Sequence, residues 1–448
     1  MCKAVGAGVQ DGPDIYGISI DTRTLVPGDL FVALKGNPGE RFNTSHKSTQ
    51  DGHDYVQQAL DAGAAGVLVH QTPKCNVANQ NIIEVADTLD GLWDLARAAR
   101  KRLNCTVFAI TGSSGKTTLR NFLGACLDIE VAPGSLNNFW GLPLSLARTP
   151  RDSSAAIYEL GTNSPGEISP LAKLVHPDIA MVLNVLPVHL EYFDGLEAIR
   201  KEKLTIRHGL GENGILIVPG ELKSYVPGEQ VMCFGEENDA DVRLISYSSA
   251  KQTVCLKTVT GQDSSEIQEV RVPGGGLHRA HTVAATQACL LAANNNLTRI
   301  LNLNDFQPPA GRGNFLEAGG IKIIDDSYNA NPTSMMEALL SVNNTSKGSG
   351  YAILGDMLEL GEGADAFHEQ LLPACKKLKA VFCVGTHMHA LYKALPPDKR
   401  WGYAKDVSSV DLNKLKSTLK KGDRVLIKGS NRIFWAHGFV DKLVDYIR

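Results

Sequence analysis

The sequence predicts an α/β protein of three domains, and three observations carry that prediction. The chain has 448 residues, too many for one hydrophobic core. Apolar strand-like runs alternate with helical patterns on both sides of a Pro308-Pro-Ala-Gly311 stretch, which argues for two successive parallel-sheet units joined by a linker. One strand run leads into a glycine loop and then an amphipathic helix, the context that phosphate binding requires.

Composition sets the outer bounds. Hydrophobic residues make up 43% and charged residues 21%, as in ordinary globular proteins. A net charge of −3 gives no bulk electrostatic case for a nucleic-acid partner. The nine cysteines are scattered without C-x-x-C spacing, so a reducing compartment is expected rather than a disulfide or zinc framework. Met1 to Gly12 lacks the basic-then-apolar pattern of a secretory signal. No apolar run approaches the ~20 residues of a membrane span. The expectation is a cytoplasmic protein, and a monomer.

Residues 1–85 mix short strand runs, Leu30 to Leu34 and Gly66 to His70, with Gly- and Asp-rich turns. Residues 86–307 open with a helical stretch, Asp87 to Leu103. Strand runs follow at Val107 to Thr111, Ala155 to Leu160 and Ile179 to Asn184, with more irregular, strand-rich sequence from Gly211 to Val272. Residues 308–448 resume the alternation, with strands expected at Ile321 to Asp325, Tyr351 to Gly355, Ala380 to Val384 and Arg424 to Lys428.

The glycine loop is Gly112-Ser113-Ser114-Gly115-Lys116-Thr117-Thr118. Glycines let backbone N–H groups converge on phosphate oxygens, and the following helix adds its positive end. Lys116 can reach the β- and γ-phosphates, and the Thr117 hydroxyl can bind Mg²⁺. The strict pattern would place its first glycine at 110, where Ile110 stands.

Three residues follow strands of the same sheet or line a helix near it. Glu159 ends the run Ala155 to Leu160; at that position it is either a Mg²⁺ ligand or a turn-stabilising carboxylate. His189 follows the next strand and is either a ligand or a structural histidine. Lys203 shares a stripe with Leu196, Ile199, Ile206 and Leu210. It either snorkels to the helix edge or presents a neutral amine on a buried face, which can add CO₂ and become an anionic carbamate.

Taken together these segments resemble the Mur ligase family along essentially the whole chain. Ser19-Ile-Asp-Thr-Arg23, Pro27-Gly-Asp-Leu-Phe31, Ala33-Leu-Lys-Gly36, Asp51-Gly-His-Asp54 and Ala62-Gly-Ala-Ala-Gly66 are similar to the family's UDP-sugar module. Thr111-Gly-Ser-Ser-Gly-Lys-Thr-Thr118 resembles its phosphate loop, which has the same spacing. Asn137-Asn138 with Gly141 and Pro143, Glu159-Leu-Gly-Thr-Asn163, and Asn184 with His189-Leu-Glu191 resemble its nucleotide and metal segments. Asp325-Asp-Ser-Tyr-Asn-Ala-Asn331 and Leu354-Gly-Asp-Met-Leu-Glu-Leu-Gly361 resemble the branch that adds a dipeptide.

The resemblance implies a UDP-sugar-binding N-terminal α/β domain at 1–85, a central P-loop ATPase domain at 86–307 and a C-terminal Rossmann-like ligase domain at 308–448. It implies ATP, two Mg²⁺ ions, and the substrates UDP-N-acetylmuramoyl-tripeptide and D-alanyl-D-alanine. Ser19, Asp21, Thr22 and Arg23 would bind the first substrate, and Asn329, Asn331 and Asp356 would position the dipeptide. The loop residues, Asn138, Arg312 and Asp326 would bind nucleotide. Thr117, Glu159, His189 and a carbamylated Lys203 would hold metal. One segment departs: the family's H-N-x-x-N reads His278-Arg-Ala-His-Thr282 here, which leaves the adenine contacts unassigned. A single-amino-acid-adding or folylpolyglutamate ligase, or a nucleotide-binding protein without ligase activity, are the alternatives.

Overall fold

A computed structural model describes residues 1–7, 12–36, 50–75, 78, 81–131, 134, 136–188, 190–228, 230–261, 264–343 and 349–448. They form two compact units. One comprises Met1–Thr111, Ile129–Val182 and Lys201–Leu216; the other comprises Gly112–Asp128, Leu183–Arg200 and Ile217–Arg448.

The first unit opens with a parallel sheet whose strands lie in chain order: Gly17–Ser19, Asp29–Val32, Gly66–Val69 and Ile82–Glu84. The two central strands are buried throughout, as expected of a parallel sheet covered on both faces. Alternation sends Leu30 and Val32 towards Leu92 and Leu95 of the helix Thr88–Arg102. Phe31 and Val67 pack on the other face with Val56 and Ala59. Asp87 starts the helix Thr88–Arg102 by accepting from Leu89 N and Asp90 N.

A second parallel set places Thr106–Thr111 between Ala155–Glu159 and Ile179–Val182. The third of these runs ends as a strand two residues before the expected Asn184. Asp178 Oδ2 accepts from Val107 N at 2.8 Å, tying the start of one strand to the entry of its neighbour. The helix Ile168–Val175 is capped from a distance. Glu202 accepts from Gly166 N at 2.7 Å and from Ile168 N at 2.8 Å, so a buried carboxylate meets the positive end of that helix.

In the second unit the phosphate-loop helix is Lys116–Leu127. The strand-rich region resolves into Val231–Gly235, parallel to Val242–Ser248, followed by the antiparallel strands Thr253–Gly261 and Ser264–Arg271. The helix Leu277–Ala292 packs on the first three of these strands and is buried along most of its length, Ala280, Ala284 and Ala288 included. After 308–311 comes a six-stranded sheet in the order Asn314–Ala318, Ile321–Asp326, Arg424–Lys428, Gly350–Gly355, Ala380–Val384, Arg400–Ala404. Only its first pair is antiparallel. Apolar clusters lie on both faces, around Leu354 on one and Ile353 on the other. The register sets Asp326 opposite Lys428, and Lys428 opposite Leu354, so their carboxyl ends form one edge. Ligands of open α/β sheets bind at such edges.

Candidate functional site

The phosphate loop leaves its strand at Gly112 and becomes helical at Lys116. Gly115 occupies the N-cap with φ 80° and ψ −2°, a left-handed conformation that favours glycine, and no side chain caps this helix. The first-turn N–H groups therefore point into the loop, where an anion is favoured. A Cβ at Gly115 would meet Leu183 Cδ2 at 2.9 Å.

The loop is braced from behind. Ser113 N donates to Asn184 O at 3.2 Å, and Ser114 N donates to Asn184 Oδ1 at 3.0 Å. Asn184 Nδ2 returns a bond to Ser114 O at 3.1 Å, and Ser113 Oγ exchanges bonds with Leu186. Lys116 Nζ donates to Gly112 O at 2.7 Å and so lies across the loop. Thr117 is buried in the first helical turn.

A narrow slot lies against the same helix. Thr118, Asn121 and Phe122 form one wall, and Pro273, Phe306, Pro308, Pro309 and Arg312 complete it. Arg312 also stacks on the Tyr328 ring, 3.9 Å from its centroid. The structure therefore brings Arg312 beside the phosphate-loop helix. Asn121 was not a sequence candidate; it sits among apolar positions of a helix and carries no motif.

Asp326 sits at the carboxyl edge of the six-stranded sheet with both oxygens engaged. Oδ1 accepts from Arg279 Nη2 at 2.8 Å and Oδ2 from Lys428 Nζ at 2.7 Å. Burial by itself raises the carboxyl pKa. The Lys428 and Arg279 charges outweigh it and hold Asp326 well below the usual carboxylate range. Lys428 Nζ also donates to Asn329 O at 2.9 Å. Neighbouring Asp325 accepts from Gly311 N at 2.6 Å and from Ser327 Oγ at 2.5 Å, fixing the loop that carries Arg312.

Other motif residues hold backbone. Asn331 Oδ1 accepts from Ser334 N at 2.8 Å and caps the helix Pro332–Asn343. Asn138 Oδ1 accepts from Gly141 N at 2.8 Å, at the start of Gly141–Arg148. Asp356 accepts from Met388 N at 2.7 Å and His387 N at 3.2 Å, at the head of Met388–Ala394. The buried Ser19 hydroxyl donates to Asp21 O at 3.0 Å. Asp21 carries an exposed Arg23 at 2.6 Å, with Thr22 between them.

Of the metal candidates, Glu159 ends its strand and is 2% exposed, and Lys203 is also 2% exposed. Ile199 and Ile206 are buried, as Lys203 is, whereas Leu196 is 47% exposed and Leu210 half-buried beyond the helix Gly195–Leu204, so the stripe is buried only in its middle. Hydroxyl and carboxylate oxygens suit Mg²⁺, and the uncapped, glycine-lined helix start suits a phosphate group. His189 lies outside the described residues. Among the described residues no group of three or more His, Cys, Asp or Glu side chains could hold a metal ion.

A preformed loop of backbone amides and a lysine at a helix start, on an α/β scaffold, defines a phosphate-loop nucleotide-binding protein. Residues 110–290 match the Mur ligase middle domain and residues 311–431 the Mur ligase glutamate ligase domain. The UDP-N-acetylmuramoyl-tripeptide–D-alanyl-D-alanine ligase of Escherichia coli strain K12 is 33% identical over 94% of this chain and 93% of that one. A crystal structure of MurF from Acinetobacter baumannii is similar with a TM-score of 0.82 at 28% identity, covering 99% of this chain and 97% of the other. MurF ligase from Thermotoga maritima, solved with ADP, gives a TM-score of 0.80 at 27% identity, over 96% and 97%. The chain belongs to the Mur ligase family.

Near Asp356 lies His368, which is fully buried. Its Nδ1 donates to Ala364 O at 2.7 Å, and its Nε2 accepts from Met357 N at 2.9 Å, 3.9 Å from Asp356 Oδ1. Burial pulls its pKa below the ordinary value, against the opposing pull of Ala364 O and of the Asp356 charge; the neighbouring His387 adds to the lowering and Asp365 opposes it. The folded state thus favours the neutral ring. That contribution is complete above the unfolded value of about 6.5 and is lost as pH falls through the lowered folded value. The urea midpoint should therefore fall between pH 7.5 and pH 5.5, and His368→Gln should flatten this dependence relative to the unsubstituted chain.

Proposed function

We propose that this chain is an ATP-dependent carboxylate–amine ligase. It joins D-alanyl-D-alanine to the terminal carboxylate of UDP-N-acetylmuramoyl-tripeptide through an acyl phosphate, in cytoplasmic peptidoglycan precursor synthesis. The braced loop Gly112–Thr118 carries this reading. Its substrates follow from the name of the E. coli relative, with which it shares 33% identity.

The chemical problem is to bring an anionic carboxylate to an anionic phosphate and then admit an amine. The carboxylate oxygen attacks the γ-phosphorus and ADP leaves. The amine nitrogen then attacks the acyl carbon, phosphate departs with the bonding electrons, and the nitrogen gives up a proton. The protein's task is charge neutralisation and positioning. Lys116, which now donates across the loop to Gly112 O, turns its ammonium to the transferring phosphate. The N–H groups of the first helical turn face the other phosphates. Arg312, in the slot beside Thr118 and Asn121, approaches the nucleotide from the loop after 308–311.

Thr117, Glu159, His189 and a carbamylated Lys203 would hold two Mg²⁺ ions, which supply further neutralisation of the anions. Burial of Lys203, at 2% exposure, supports the carbamate reading. Ser19, Asp21, Thr22 and Arg23 would serve the UDP-sugar, and Asn329, Asn331 and Asp356 the dipeptide. For the last two the route is through the helix starts they hold.

We also infer a division into domains at 1–85, 86–307 and 308–448. The matched spans 110–290 and 311–431 support it. Nine free cysteines support a reducing, cytoplasmic location. Among the described residues no helix is long and apolar enough to cross a membrane. A monomer is the proposed state.

Phosphate release from ATP should require both D-alanyl-D-alanine and the UDP-muramoyl tripeptide; release with either alone would overturn the reading. Lys116→Ala should keep the circular-dichroism spectrum and thermal midpoint while turnover falls by at least ~10³-fold. Lys203→Ala should be inactive and regain part of its rate with millimolar short carboxylic acids, which replace the missing oxygens. Full activity without additive would remove the carbamate.

A further inference from the structure

The segment His278-Arg-Ala-His-Thr282 departs from the family pattern, and the structure shows what its arginine does. Arg279 leaves the first turn of Leu277–Ala292 and is 7% exposed. Nη2 donates to Asp326 Oδ1 at 2.8 Å, while Nη1 donates to Gly274 O at 3.1 Å and Gly275 O at 3.2 Å. Gly274 and Gly275 have φ of 79° and 65°, so this turn is held in the left-handed region with its carbonyls turned to the guanidinium. A Cβ at Gly313 would lie 2.6 Å from Arg279 Nη2, and one at Gly274 3.2 Å from Nε. The planar group therefore lies against both loop backbones, where only glycine leaves room.

One side chain thus joins three segments: the glycine turn, the loop at 311–313, and the strand end at Asp326. Those same segments carry Pro273, Pro309 and Arg312, which wall the slot beside the phosphate-loop helix. The other residue of the departure is also engaged, since Thr282 Oγ donates to His278 O at 3.1 Å.

We propose that Arg279 is a positioning residue for the nucleotide. It acts through Asp326 and the glycine turn, without touching the ligand, by fixing the walls of the slot next to the phosphate loop. The proposal rests on the ATP reading above. A planar fork is needed to reach a carboxylate and two carbonyls at once, which a lysine cannot reproduce. Removal of Arg279 still leaves Asp326 paired with Lys428 at 2.7 Å, so no buried charge is orphaned and the fold should survive.

The test is calorimetric titration with ADP, which needs no turnover, beside steady-state kinetics. Arg279→Ala should weaken ADP binding and raise KM for ATP by roughly 10- to 100-fold. KM for D-alanyl-D-alanine and the thermal midpoint should stay within twofold and a few degrees of the unsubstituted protein. Arg279→Lys should fall between. Unchanged ADP affinity in Arg279→Ala overturns the proposal, as does an equal rise in both KM values, which would mean a general loss of structure. If Arg279→Ala does not fold, Arg279→Lys decides by the same comparison. Failure of the unsubstituted protein to bind ADP would instead overturn the ATP reading.

Discussion

A seven-residue loop can aim several amides at one point only if something other than its ligand holds it in shape. Here that constraint is met by Asn184. Its carboxamide and carbonyl bond Ser113 and Ser114 at 3.0–3.2 Å, and Gly115 takes the left-handed turn into the helix. Electrostatic preorganisation of this kind costs no rearrangement when charge develops on a phosphate. Everything else proposed for the chain needs this loop to be rigid first.

Buried carboxylates and carboxamides do the corresponding work elsewhere. Glu202 caps the helix Ile168–Val175, Asp356 the helix Met388–Ala394, and Asn331 the helix Pro332–Asn343. Each places an oxygen against the positive end of a helix, where an acceptor satisfies amides that have no partner inside the helix. Motif residues that look like ligand contacts in sequence can thus fix the segments from which ligands are reached. Glu202 does the same work without a motif to mark it: it adjoins Lys203 and holds the loop that follows Glu159.

The Asp326 cluster follows a different rule. Two cations converge on one carboxylate that is nearly out of solvent. Such groups are tolerated only when each is paired and hydrogen-bonded. Lys428 is tied further to Asn329 O, and Arg279 to two glycine carbonyls. The result ties the helix Leu277–Ala292 to two strands of the six-stranded sheet through buried polar contacts.

Much of this was readable in one dimension, because it depends on local order along the chain. Strand, glycine loop and helix at Thr106–Leu127 are consecutive, and the alternating strands of the last block fall within a residue or two of their apolar runs. Helical spacing put Lys203 on the apolar stripe but left a snorkelling and a buried side chain both open; the fold buries it, at 2% exposure. The partners of Arg279, Asp326 and Glu202 were not visible: they are 47 residues away for the first pair and 34 to 36 for Glu202. Charge and residue type carry no information about which distant segment will arrive. Sequence by itself determined the order of the elements and the residue types of the phosphate loop; tertiary structure alone decided which polar side chains hold backbone and which line the slot beside the phosphate-loop helix, because that depends on packing between segments far apart in the chain.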